Sequence, residues 1–171
     1  MISSILWSDL QNSFVWTGLF TLLMFGLIGI IDDYKKIKSN SSNGLKAITR
    51  IILQLFFALI ISLVILIILD DQIDTTIAFP FFKNLIINFG YCYLAISLFI
   101  LVGSANAVNL TDGLDGLAIV PVMIVAMTFA FIAYVSGNIV FSDYLLINYI
   151  PGTGELSVLC GALIGSALGF L

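Results

Sequence analysis

The stretch IILQLFFALIISLVILIIL, residues 51–69, is nineteen residues long and carries no charge. A helix of ~20 apolar residues, rising about 1.5 Å per residue, crosses a hydrocarbon core ~30 Å thick. This run therefore reads as a membrane span, and four more of comparable length follow the same rule: Val15 to Ile31, Tyr91 to Val108, Leu117 to Val135 and Leu156 to Leu171. Lipid offers the backbone no hydrogen-bond partners, so spans must satisfy their own amides as helices. The expected fold is all-α, a multi-pass transmembrane bundle of about five spans that takes in residues 1–171 as one partial integral-membrane domain.

Composition agrees with that reading. Hydrophobic residues make up 61% of the chain and charged residues 9%, with a mean hydropathy of +1.18. Ordinary globular chains hold about 45 to 50% apolar and about 25% charged residues. The excess apolar surface must face lipid, which excludes a water-soluble domain, and a net charge of −4 gives no reason to expect a nucleic acid partner.

Four connecting segments separate the spans: Asp32 to Arg50, Asp70 to Gly90, Asn109 to Gly116, and Ser136 to Glu155. Lys35, Lys36, Lys38, Lys46 and Arg50 all fall in the first, and only Lys83 lies elsewhere. Basic residues collect on the cytoplasmic side, so this loop is expected inside and Asp70, Asp71 and Asp74 outside. The third span then returns inward and ends at Asn106 to Gly116, on the face that carries Asp32 and Asp33. Within the basic loop, SNSSNG at Ser39 to Gly44 reads as a flexible turn.

Two polar clusters stand at these inner ends. Acids at membrane depth are rare and usually functional. The neighbouring carboxylates Asp32 and Asp33 repel each other and need a cation or lysine to stay ionised; a solvated acidic pair flanking the membrane is the plainer alternative. The second cluster, NAVNLTDGLDGLA at Asn106 to Ala118, sets Asn106, Asn109, Asp112 and Asp115 at steps of three, along one winding stripe if helical. Gly113 and Gly116 are expected to loosen or end the helix. Asn and Asp offer the hard oxygens that magnesium prefers, whereas an Asx-rich turn would also fit the pattern. The chain has no histidine, so acid–base chemistry would fall to carboxylates or lysines. Cys92 and Cys160 have no metal-ligand spacing and read as packing residues. Gly161, Gly165 and Gly169 form a small-residue stripe suited to close helix packing in lipid.

IIDDYKK at Ile30 to Lys36, PFFKN at Pro80 to Asn84 and NAVNLTDGLDGLA at Asn106 to Ala118, in this order, resemble the bacterial phospho-N-acetylmuramoyl-pentapeptide-transferases of the polyprenyl-phosphate N-acetylhexosamine 1-phosphate transferase superfamily. The resemblance implies transfer of phospho-N-acetylmuramoyl-pentapeptide from UDP-N-acetylmuramoyl-pentapeptide to undecaprenyl phosphate, giving lipid I and UMP. The implied cofactor is Mg2+, and the implied setting is the bacterial inner membrane with the active face cytoplasmic. Membrane lipid is the surrounding partner and a homodimer a candidate assembly. By position, Asp32, Asp33 and Asp112 match catalytic aspartates. Lys36, Arg50, Asn109, Gly113, Leu114 and Asp115 match substrate-binding positions, and Asn109 with Asp33 the metal ligands.

Departures are equally definite. Arg50 stands where many members carry lysine, which keeps the charge but not a titratable amine. The family's early Gly-Thr-Pro-rich motif, its later Phe-Met-Gly-Asp aspartate and its histidine-rich loop have no counterpart. The expectation is a fragment that does not catalyse transfer alone. Another transferase of the superfamily, an ion-coupled transporter and a noncatalytic membrane scaffold are the alternatives.

Overall fold

The computed structural model describes residues 1–39, 44–69, 75–78, 86–90, 92–111 and 117–171. Five helices among them are long and apolar enough to cross a membrane, and no more than 22% of the most apolar window of any one is buried inside the chain. The remaining surface of these helices is greasy and uncovered, as a lipid-facing bundle requires. In chain order the elements are α1 (Ile2–Trp7), α2 (Ser13–Ser39), α3 (Ala47–Leu69), β1 (Thr76–Ala78), β2 (Ile86–Asn88), α4 (Cys92–Thr111), α5 (Ile119–Ser136), α6 (Ile139–Leu145) and α7 (Leu156–Phe170), with a 3-10 turn at Thr153–Glu155. The chain divides into two compact units: Met1–Leu22 with Ala107–Leu171, and Leu23–Asn106.

In the first unit, Val15 and Leu19 of α2 pack on Leu159 of α7, flanked by Leu22 and Leu156. The approach is close because residue 18 is glycine: a Cβ there would stand 2.6 Å from Leu159 Cδ2. At one end of this unit, the segment before α2 is tied to the segment before α7. The Asp9 amide donates to Glu155 Oε2 (2.9 Å), Asn12 Nδ2 donates to the Gly152 carbonyl (2.7 Å), and Asn12 Oδ1 accepts from the Phe14 amide (2.8 Å) at the start of α2. Gly152 sits at φ +86°, a backbone region that glycine enters without steric cost. Asn138 caps α6, its Oδ1 accepting from the amides of Val140 (3.0 Å) and Phe141 (3.3 Å), as expected for Asn before a helix. The glycines of the α7 stripe, Gly161, Gly165 and Gly169, meet nothing within 4 Å of a would-be Cβ. A groove of about 780 Å³ runs past Gly161 and Gly165 between α7 and α1, with Trp7 on its wall.

In the second unit, α3 and α4 run antiparallel, and two side-chain hydrogen bonds fix their register. Ser97 Oγ donates to Ser62 Oγ (2.8 Å), whose own proton goes to the Ala58 carbonyl (2.8 Å). Asn106 Nδ2 donates to Gln54 Oε1 (2.7 Å). Eight residues back along α3 correspond to nine forward along α4, the relation that opposed helices of equal rise must show. Such bonds hold helices together in lipid, each contributing ~0.6 to 2 kcal/mol.

The segment from Asp70 to Gly90 contains a feature that an all-α reading does not include. β1 and β2 pair antiparallel, Thr76 opposite Asn88, Ile77 opposite Ile87 and Ala78 opposite Ile86. The hairpin closes with the Phe89 amide on the Thr75 carbonyl and Thr75 Oγ1 on Asn88 Oδ1, each at 2.8 Å. Runs of Thr and Ile favour extended backbone, and outside the apolar runs nothing compels a helix. PFFKN, including Lys83, lies outside the described residues, as do residues 40–43 of the basic loop.

Candidate active site

Helix α2 does not stop at the acids. It continues through Asp32 and Asp33 to Ser39, placing Lys36 and Lys38 in its last turn, where positive charge suits the carbonyl end of a helix. The acidic pair thus stands one to two turns inside the helix, and the lysines rather than the acids meet its negative pole.

Adjacent helical residues point about 100° apart, and the two aspartates have different surroundings. Asp32 is 6% exposed and both its carboxylate oxygens are engaged: Oδ1 accepts from the Leu45 amide at 2.6 Å and Oδ2 meets Lys36 Nζ at 2.6 Å. Asp33 has a side chain 71% exposed and meets Lys36 Nζ only through Oδ1, at 3.1 Å. Lys36 serves both because it lies three and four residues beyond them on the same helix. The Leu45 contact requires Gly44: a Cβ there would collide with the Asp32 carboxylate and stand 2.9 Å from Lys36 Cε.

Helix α3 carries the next cation. Arg50 is half-buried, its charge reaches Asp32, and its Nε is buried with no hydrogen-bond partner among the described residues. One turn further along α3 is Gln54, 6% exposed and bound to Asn106 of α4. One end of the second unit therefore gathers Asp32, Asp33, Lys36, the Gly44–Leu45 turn, Arg50, Gln54 and Asn106. The first residue of the NAVNLTDGLDGLA motif thus lies at the same end as the paired acids, as charge counting and span counting require.

The other expected site residues fare differently. Asn109, exposed on α4, makes no side-chain hydrogen bond among the described residues. Helix α4 is described as far as Thr111 and α5 begins at Ile119, and Gly113 and Gly116, expected to loosen or end the helix, fall between them outside the described residues. Asp112, Gly113, Leu114 and Asp115 lie outside the described residues. Gln54 is the residue that motif reading passes over; its signal is a single carboxamide in an otherwise apolar run, four residues after Arg50.

An acid saturated by a lysine and an amide, beside an exposed acid sharing that lysine and an arginine with an unpartnered Nε, is an arrangement suited to anionic, phosphate-bearing ligands. Comparison with known proteins gives the family. Residues 15–171 match the family described as glycosyl transferase family 4. The phospho-N-acetylmuramoyl-pentapeptide-transferase of Pelagibacter ubique is 55% identical over 168 residues, covering 98% of this chain and 46% of that protein. Those of Bartonella quintana (49% identical) and Rickettsia rickettsii (48%) are matched over 100% and 99% of this chain and 47% of their own length. The chain thus spans about half the length of the curated relatives it matches, and it belongs to glycosyl transferase family 4, a multi-pass membrane protein of a bacterial kind.

Proposed function

We propose that this chain takes part in moving phospho-N-acetylmuramoyl-pentapeptide from its UDP carrier to undecaprenyl phosphate, forming lipid I and UMP at the cytoplasmic face of the bacterial inner membrane. The observation that carries the reading is the division of labour between the two acids around Lys36. In this reaction a lipid phosphate oxygen bonds to the sugar-bearing phosphorus while the bond to the UMP oxygen breaks. Aligning those oxygens and neutralising their charge supply most of the catalysis. Lys36 and Arg50 bring positive charge to the diphosphate. Asp32 holds Lys36 in place, and Asp33 is the acid that faces the substrates.

Asp33 also fits a divalent ion, since its Oδ2 is uncommitted, whereas both oxygens of Asp32 are taken. The resemblance assigns Asn109 to the same ion, and among the described residues its side chain makes no hydrogen bond. No group of three or more acidic, histidine or cysteine residues gathers among the described residues, and magnesium typically takes only one or two protein carboxylates, completing its shell with water and phosphate. Bound there, magnesium would supply charge neutralisation on the diphosphate. The resemblance assigns Asp112 to catalysis and Gly113, Leu114 and Asp115 to the uridine end.

The test joins residues 1–171 to the remaining half of the Pelagibacter ubique relative and follows UMP release in nanodiscs containing undecaprenyl phosphate. Release should depend on magnesium and fall ~10²–10³-fold in Asp33→Asn, the loss typical of removing one electrostatic stabiliser. Unchanged turnover in Asp33→Asn, or ion flux with no UMP, would overturn the proposal.

A further inference from the structure

Two polar pairs link α3 to α4, and they differ in how completely they satisfy themselves. In the Ser62–Ser97 pair each hydroxyl proton has an acceptor: Ser62 donates to Ala58, and Ser97 donates to Ser62. This pair alone would hold the helices in register. In the Gln54–Asn106 pair the Nδ2 of Asn106 is fully engaged, one hydrogen on Gln54 Oε1 at 2.7 Å and the other on the Val102 carbonyl at 2.8 Å. Its Oδ1 accepts from no described residue. With both hydrogens anchored, the amide plane cannot turn, and the oxygen is held in one direction as an unused acceptor.

A second observation comes from the same face of α3. Four residues before Gln54, Arg50 has a buried Nε–H without a partner among the described residues, and helical residues four apart are neighbours. An unused donor and an unused acceptor thus occur at the one end of this unit that also holds Asp32 and Lys36. A large carboxamide is tolerated in an apolar span only when it is paired, so Gln54 would be a costly choice for helix contact alone.

We propose that Gln54 is a positioning residue that acts through Asn106: it fixes the Asn106 amide so that Oδ1 is presented to a donor on the anionic substrate, a hydroxyl, an amide N–H or a metal-bound water. The inference rests on the transferase reading for the substrate, though the pair itself can be read out without turnover. Gln54→Leu keeps α3 apolar and able to insert, while Gln54→Glu keeps the accepting oxygen and serves as the conservative rescue.

In the full chain, reconstituted in nanodiscs with asparagine side chains labelled with 15N, the Asn106 amide protons should exchange slowly. They should lose that protection and shift in Gln54→Leu, and recover it in Gln54→Glu. In the chimera with the Pelagibacter ubique relative, Gln54→Leu should lower kcat ~10–100-fold, the usual consequence of removing the partner that orients a functional group, with KM for the nucleotide substrate little changed. Because Gln54 acts through Asn106, Gln54→Leu should add nothing once Asn106→Ala is present. An Asn106 signal indifferent to Gln54→Leu, an unchanged kcat, or equal losses with and without Asn106 would each overturn the inference. A parent chimera that releases no UMP would instead count against the transferase reading, and the resonance of Asn106 would still decide whether Gln54 orients it.

Discussion

The two neighbouring aspartates show how far position on a helix can separate identical residues. Asp32 is enclosed by the Leu45 amide and Lys36; Asp33 stands mostly in the open. Asp33→Asn should therefore leave stability within ~0.5 kcal/mol of the parent, as for exposed substitutions, and any loss of turnover would be chemical in origin. Gly44→Ala should act the other way. Its Cβ would press on the Asp32 carboxylate and the Lys36 side chain, and crowding of this kind costs ~1–3 kcal/mol. A lowered midpoint in detergent unfolding, with Gly26→Ala unaffected as the control because nothing lies within 4 Å of Gly26, would confirm it. Motif reading marks Asp32 and Asp33 together; only the tertiary structure shows that Asp32 is enclosed against the 44–45 segment while Asp33 stands exposed.

At the level of elements, close backbone approach separates glycines that look alike in sequence. A Cβ on Gly137 would strike the Gly154 backbone, with Gly154 Cα at 2.8 Å and the Ala133 carbonyl at 3.0 Å. Backbone cannot swing aside as a side-chain tip can, so Gly137→Ala should destabilise by ~1–3 kcal/mol. Gly161→Ala, with open space around it, should not lower the unfolding midpoint of the same chain. The Ser62–Ser97 bond gives a third measure: a double-mutant cycle with Ser62→Ala and Ser97→Ala should return a coupling of ~0.6 kcal/mol, the average for hydrogen bonds between membrane helices. Helix existence is legible from apolar length. The β1–β2 hairpin is not, because three residues per strand fall below any periodic signal, and their pairing joins residues twelve apart at the ends, Thr76 and Asn88.

For the molecule as a whole, sidedness follows from where cations sit. With five of the six basic residues between Lys35 and Arg50, the loop after α2 is expected inside and the β1–β2 hairpin outside. In a chain whose free thiols, Cys92 and Cys160, are replaced by alanine, an impermeant reagent applied to intact spheroplasts should label Asn88→Cys and spare Lys38→Cys until lysis. The reverse pattern would invert the topology. The first unit supports the alternation independently: span counting puts the segment before α2 and the segment before α7 on one side, and the Asp9–Glu155 and Asn12–Gly152 hydrogen bonds join them.

The sequence by itself determined the apolar environment and the helical spans, because lipid forces every apolar run of sufficient length to close its own backbone hydrogen bonds, and it supplied the motif residues and the charge asymmetry from which the alternation is expected. The tertiary structure alone decided which acid is enclosed, which glycines admit no side chain and that Gln54 grips Asn106. Those outcomes depend on contacts between residues 13, 17 and 52 positions apart, and neither hydropathy nor periodicity carries information about which face of one helix meets which face of another.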